Sequence, residues 1–155
     1  MVKKSFSDMD CSLAQALDII GEWWSMLIVR DFFLGNGVRR FEQLRDSLGI
    51  SRNILTERLK TLTEAGVIER VPLQKGGKRC AYQLTRKGHD LLPTMMAMMQ
   101  WGEKYADGSM SPGGFIKVRE RVTGDEIAPL SIQNQAGAEL GTADLYLTVN
   151  GPNGE

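Results

Sequence analysis

A glycine turn between two short amphipathic runs constrains the fold of this chain more than any other feature. Phe41, Leu44 and Leu48 recur at the spacing of one helical face. Gly49 can adopt the left-handed conformation that ends a helix, and Ser51 is a favourable N-cap for the next helix. The sequence therefore predicts a helix-turn-helix.

The predicted second helix, from residue 51 to about 65, has two unlike faces. On a helical wheel the aliphatic residues cluster on one side: Ile54, Leu55, Leu59 and Leu62. The other side carries groups that can bond to base edges or phosphates in a DNA major groove: Arg52, Asn53, Thr56, Glu57 and Lys60. Any surface helix has a polar face, so the residue types rather than the amphipathicity favour DNA contact. We add Arg40 and Ser51, at the two helix starts, to the predicted DNA-binding residues.

Two charged residues of this helix leave alternatives open. Glu57 accepts a hydrogen bond from a cytosine amine, or it is a solvated charge. Arg58 falls among the leucines on the wheel. We therefore favour a partly buried ion pair with a carboxylate such as Asp31 or Asp46, with a phosphate contact as the alternative.

A β-hairpin is predicted after this helix. Residues 68–73 and 79–84 are β-prone and flank a Gly-Gly pair, which suits a tight turn. Lys75, Lys78 and Arg79 crowd the tip. Beside a helix-turn-helix, this hairpin is predicted to act as a wing that contacts flanking phosphates or the minor groove, rather than as a solubilising loop.

Several motifs in order carry a family resemblance. They are CSLAQALDIIG at 11–21, LIVRD at 27–31, RFEQL at 40–44, LTERL at 55–59, AGVIER at 65–70 and YQLTRKG at 82–88. Over roughly residues 10–104 the chain resembles the HxlR family of bacterial winged-helix transcription regulators. The resemblance implies a homodimer that binds a palindromic operator in double-stranded DNA. In many members, the N-terminal cysteine responds to an electrophile or oxidant. The chain departs from the family at Glu22-Trp23, where a Gly-Lys step is usual, so Trp23 is expected in packing or an interface.

The predicted fold class is mainly α with small β: a winged helix-turn-helix domain at residues 1–105, for DNA binding and dimerisation, and a glycine-rich, β-prone extension at 106–155. Strand-like runs in the extension lie at 115–122, 127–133 and 144–149. The extension could brace the dimer, swap onto the partner or bind an effector, and we favour dimer support.

The charge balance fits DNA binding once it is divided along the chain. The formal net charge is zero, but residues 1–105 hold 16 Lys and Arg against 12 Asp and Glu, whereas residues 106–155 hold 3 against 7. A local positive field therefore accompanies the motif.

No apolar run approaches the roughly 18 residues of a membrane span, and the N-terminus does not resemble a signal peptide. These features predict a cytoplasmic protein without a membrane partner. One histidine and no phosphate loop predict no enzyme, no metal and no cofactor.

Cys11 is a candidate redox sensor. It lies at the start of a predicted helix, where the helix dipole and free amides favour a thiolate. Asp8 and Asp10 oppose that effect, and an inert cysteine is the alternative.

An apolar stripe follows Thr85, interrupted by Pro93, which is expected to kink the helix or mark a restart. We assign part of it to a dimer interface: Leu92, Met95, Met96, Met99 and Trp101. Adaptable methionines would also suit a small-ligand pocket. A ligand-binding or protein-interaction module without specific DNA readout is therefore the alternative function.

Overall fold

The computed structural model describes residues 5–35, 37–74, 79–105 and 116–148. The chain divides into two compact units, Met1–Met95 and Met96–Glu155. The helices of the described ranges are α1 Ser12–Ile20, α2 Trp23–Phe33, α3 Phe41–Leu48, α4 Arg52–Glu64, α5 Arg86–His89 and α6 Leu92–Tyr105. The strands are β1 Val38–Arg39, β2 Ile68–Pro72, β3 Cys80–Leu84, β4 Ile132–Gln133 and β5 Glu139–Leu140. The predicted fold class, a winged helix-turn-helix that is mainly α with small β, is confirmed.

Helix α2 lies in the core of the first unit, where a helix that is apolar on most sides can be buried. Ile28, Val29 and Phe32 are buried, and they pack in one core with leucines of α3 and α4 and with Ile68, the first residue of β2. Trp23, at the start of α2, is instead 83% exposed. It therefore does not pack within the described chain, and only the interface interpretation of Trp23 remains.

The turn between α3 and α4 forms as the sequence predicts. Gly49 caps α3 with φ of 65°, in the left-handed region that glycine tolerates. The Ser51 hydroxyl accepts a hydrogen bond from the backbone N–H of Ile54 at 3.3 Å and so caps α4. At the start of α3, the backbone N–H of Arg40 donates to Oε1 of Gln43 at 2.9 Å. These caps satisfy helix-end groups that would otherwise lack partners.

The predicted hairpin is confirmed as an antiparallel sheet with strand order β1-β3-β2. Arg70 on β2 and Arg39 on β1 both lie opposite Tyr82 on β3. Directly opposed residues of antiparallel strands project from the same face, so these three side chains form one row. The two-residue strand β1 was not predicted, because so short a segment has no alternation of its own.

Pro93 marks a helix restart, one of the two outcomes expected for it. Helix α5 ends at His89, and α6 begins at Leu92 with Pro93 in its first turn. At that position the missing N–H costs no helical hydrogen bond. Gly88 of α5 is required by close packing, since a Cβ there would lie 2.2 Å from the carbonyl oxygen of Val67.

The second unit contains less regular structure than expected. Strands β4 and β5 pair as a short hairpin around Gly137, and Arg119 and Glu126 form an isolated bridge. The strand predicted at 144–149 is wrong over its described part, because Asp144 ends a 3₁₀ turn and residues 145–148 pair with no strand. Leu147 alternates with polar residues, as in a strand, but its side chain is fully exposed and packs against no apolar surface of the described chain. None of the helices in the described ranges is long and apolar enough to cross a membrane.

Candidate nucleic-acid interface

The outward face of α4 carries more of the side chains predicted to contact DNA than any other described element. Arg52, Asn53, Thr56 and Lys60 are all exposed. Leu55, Leu59 and Leu62 on the opposite face are at most 2% exposed and anchor the helix to the core. Ile54, which the wheel placed on the buried side, is 41% exposed, because it lies in the first turn at the edge of the packed face. The helix therefore packs on the core by one side and presents its polar side to solvent.

Arg52 is held by exposed contacts at the start of α4. Its Nη2 donates to Oε1 of Glu42 at 2.8 Å, and its guanidinium lies 5.0 Å from the centre of the Phe41 ring. Both charged side chains are more than half exposed, and such pairs contribute little stability. Arg52 can therefore exchange this carboxylate for a DNA phosphate or base at small cost.

Arg58 has the structural role expected of it, but with other partners. It is buried, and its Nη2 donates to Glu57 at 2.6 Å while its Nη1 lies 3.7 Å from Glu22. Asp31, one of the predicted partners, pairs instead with the adjacent Arg30 at 2.8 Å. The carboxylate of Glu57 thus already accepts a hydrogen bond from Arg58, so Glu57 is less suited to accept one from a DNA base.

The remaining predicted contacts surround α4. Arg40 and Ser51 are exposed at the starts of α3 and α4, and Arg79 is exposed immediately before the second wing strand. Lys60 lies 3.8 Å from Glu64 in an exposed pair. The predicted contacts Lys75 and Lys78 lie outside the described residues.

A groove that the sequence did not predict runs beside α4. It measures about 500 Å³ and is lined by α3, α4 and the sheet. Residues from all three parts line it: Phe41, Thr56, Leu59, Lys60, Thr63, Glu64, Arg70 and Tyr82. The alternation of β2 could have shown that Arg70 shares the face of the buried Ile68, but only the strand register places it beside Tyr82.

Arg70 is oriented in this groove by two neighbours. Its Nη2 donates to Sγ of Cys80 at 2.9 Å, and its guanidinium lies 5.9 Å from the centre of the Tyr82 ring. The hydrogen bond to Cys80 is the main reason that the pKa of Arg70 is raised above its ordinary value, with Tyr82 the next contributor. Like any arginine, Arg70 carries its positive charge at neutral pH.

Cys11 is an exposed free thiol at the N-cap of α1. Its backbone is extended, with φ of −149° and ψ of 113°, and its side chain makes no capping hydrogen bond. The thiol is therefore accessible to a reagent in solution. Cys80, by contrast, is half-buried in β3.

The apolar residues of α6 divide into a covered set and an exposed set. Met95 and Met96, which the sequence assigned to the dimer interface, are 6% and 9% exposed within the chain itself, so they are already packed. Leu92 and Met99, from the same assignment, are half-buried. The exposed set recurs at spacings of three and four residues: Met98, Trp101 and Tyr105. Of the assigned residues, only Trp101, at 68% exposed, is largely free to meet another molecule.

The cavity beside the methionines is small. Met96, Met99, Ile116 and Ile127 help to enclose about 140 Å³, whereas small-molecule sites usually measure roughly 300 to 1,000 Å³. This volume does not favour a ligand-binding function for the second unit. Across the four described ranges, no three His, Cys, Asp or Glu side chains are grouped so that they could hold a metal ion.

Comparison with known proteins identifies the kind of protein that carries this geometry. The profile of the HxlR-like helix-turn-helix family matches residues 19–110. An HTH-type transcriptional regulator of Mycobacterium tuberculosis (strain H37Rv) is 40% identical over 129 residues, which are 83% of this chain and 79% of that relative. The match extends well beyond the helix-turn-helix.

Two solved structures are also similar. The crystal structure of PA1607, described as a candidate transcription factor, superposes with a TM-score of 0.81 at 37% identity and covers 94% of this chain and 99% of its own. The quinone-bound structure of YodB from Bacillus subtilis superposes with a TM-score of 0.53 at 28% identity and covers 63% of this chain and all of its own. The first similarity includes the C-terminal extension, whereas the second covers about the length of the winged-helix region.

Proposed function

The chain belongs to the HxlR-like helix-turn-helix family, and from that premise we propose that it binds a palindromic DNA operator as a homodimer whose DNA affinity is controlled at Cys11. Family and relatives make it a transcription regulator and not an enzyme. The operator, the dimer and the effector are our proposals.

The outward face of α4 is the observation that carries the proposal. Asn53 is exposed at the start of the helix and can make a bidentate contact with adenine, and Arg52 can do so with guanine. A protein-interaction module would be expected to show an apolar or acidic face here. The combination of donors and cations in Arg52, Asn53, Thr56 and Lys60 favours nucleic acid instead.

The homodimer is supported by apolar surface that the single chain leaves uncovered. On α6, Trp101 and Tyr105 are 68% and 59% exposed, with ring centres 5.5 Å apart. On α1, Leu13 is 68% exposed. Exposed apolar side chains at helical spacing are typical of surfaces that a second copy covers. Two recognition helices reach successive major grooves only if a dimer holds them about 34 Å apart.

Selection of bound duplexes from a random pool at near-physiological salt tests the operator and the dimer together. We expect recovery of an inverted repeat whose half-sites are centred about 10 base pairs apart. Sedimentation of the protein on the recovered duplex should give two chains per site. A pool that yields no common sequence would contradict the operator, and one chain per site would contradict the dimer.

Control at Cys11 is supported by the exposed thiol and by the quinone that is bound in the YodB structure. We propose that an electrophile adds to the Cys11 thiolate at the start of α1 and weakens DNA binding by shifting the spacing of the two recognition helices. A thiolate, rather than a thiol, is the attacking species.

The Cys11→Ser variant tests this control, with Cys80→Ser as the matched control. Quinone should release the wild type and Cys80→Ser from the selected duplex and leave Cys11→Ser bound. Equal release of Cys11→Ser and the wild type would contradict the role of Cys11. Mass spectrometry of the adduct shows which thiol has reacted.

A further inference from the structure

The row formed by Arg39, Tyr82 and Arg70 places two cations beside an aromatic hydroxyl on one face of the sheet. The Arg39 Nε is already used, since it donates to the backbone oxygen of Asp31 at 2.9 Å. Arg70 and Tyr82, in contrast, line the groove beside α4. They have no assigned role in recognition by the outward face of that helix.

Within the four described ranges, protein groups use little of the hydrogen-bonding capacity of Arg70. A guanidinium has five N–H donors, and the hydrogen bond that Arg70 makes among these residues goes to a thiol, which is a weak acceptor. Among the residues that the structure describes, no carboxylate lies within ion-pair distance of Arg70. The nearby Glu64 carboxylate, which also lines the groove, is paired with Lys60. The Arg70 guanidinium is therefore oriented but has no anionic partner in the described part of the chain.

The rest of the groove suits a nucleotide backbone. The rings of Phe41 and Tyr82 offer apolar surface against which a sugar can pack, and Lys60 also lines the groove, in an exposed pair with Glu64. Thr56 and Lys60 also belong to the outward face of α4, so DNA held by that face would pass along the groove. When a helix enters the major groove, the sugar-phosphate strands lie on either side of it.

We propose that this groove binds one phosphodiester of the DNA backbone between α4 and the β2–β3 hairpin, with the Arg70 guanidinium as its bidentate donor and the Tyr82 hydroxyl as a further donor. The inference rests on the proposed function and adds a phosphate contact to it. Phosphate contacts fix register and orientation without reading sequence, so this site positions α4 on any duplex. Arginine matches a phosphate with two parallel hydrogen bonds, which a lysine cannot do.

The test compares Arg70→Ala with Arg86→Ala in the full chain. Arg86 is exposed on α5 and does not line the groove, so its substitution removes the same charge elsewhere. We expect Arg70→Ala to bind both the selected duplex and a scrambled duplex about tenfold more weakly. The slope of log affinity against log salt should fall by about 0.9, which is one phosphate contact. Tyr82→Phe should lower both affinities about threefold, and Arg86→Ala should change neither.

Neutral phosphates locate the contact independently. Replacing single phosphates of the selected duplex by methylphosphonates should reveal one position per half-site at which the wild type loses about tenfold and Arg70→Ala loses nothing further. If Arg70→Ala does not fold, as judged by circular dichroism, Arg70→Gln takes its place in both measurements.

The outcomes separate this inference from the proposed function. Specific binding by the wild type, with an unchanged salt slope and affinity for Arg70→Ala, would overturn the phosphate site and leave the operator proposal standing. A loss confined to the selected duplex would also overturn it, because it would make Arg70 a base-reading residue. Failure of the wild type to prefer any duplex would overturn both proposals.

Discussion

The two compact units of this chain differ in how they bury their apolar residues. In the first unit Phe32 and Leu55 are at most 1% exposed, and neighbouring helices and strands enclose them. In the second unit Val122, Tyr146 and Leu147 are each more than 85% exposed. The first unit therefore has a core that specifies its fold. Val122, Tyr146 and Leu147 thus gain almost no burial within the chain, and their exposure supports the expectation that the extension braces the dimer.

Glycine content contributes to this difference. Residues 106–155 hold eight of the 17 glycines of the chain. Each glycine loses more backbone entropy on ordering than any other residue, and little apolar burial offsets that cost here. Local turns, such as the one with Gly137 at φ of 82°, still form because their geometry is local.

The largest effect on stability is expected when a buried leucine in the core of the first unit is truncated. Leu55→Ala should lower the free energy of unfolding by about 2 to 5 kcal/mol, because it opens a cavity under α4. Urea unfolding followed by circular dichroism measures the effect. A loss below about 1 kcal/mol would mean that the core around Leu55 is not closely packed.

A smaller loss of stability is expected when a helix cap of the first unit is removed. Ser51→Ala removes the hydroxyl that accepts the Ile54 N–H, and should cost about 1 kcal/mol of unfolding free energy. Ser131→Ala in the extension is the matched control, because Ser131 caps no helix, and it should change the same quantity by less than about 0.5 kcal/mol. Equal effects of the two substitutions on the unfolding free energy would show that the Ser51 cap does not stabilise the first unit.

The smallest effect is expected at the most exposed leucine. Leu147→Ala should change the unfolding free energy of the monomer, measured by urea at low protein concentration, by less than about 0.5 kcal/mol. We expect its effect to grow as protein concentration rises if a second copy covers the extension. A concentration-independent loss above 1 kcal/mol would show that the extension belongs to the core of the single chain.

The parts of the fold that depend on local chemistry could be predicted from the sequence. The Gly49 turn, the Ser51 cap and the wing strands follow from conformational preference and periodicity. The approach of Arg58 to Glu22 could not be predicted, because it depends on how α2 and α4 pack. The Arg70 groove depends on strand register and on the approach of α4 to the sheet, neither of which is a local property.

The Asn53→Ala variant tests the central claim, that the outward face of α4 reads DNA sequence, most directly. Its affinity for the selected duplex and for a scrambled duplex should be measured at one salt concentration, with Gln133→Ala of the extension as control. We expect Asn53→Ala to lose about 1 to 3 kcal/mol on the selected duplex and almost nothing on the scrambled one. An unchanged ratio of the two affinities would contradict the account.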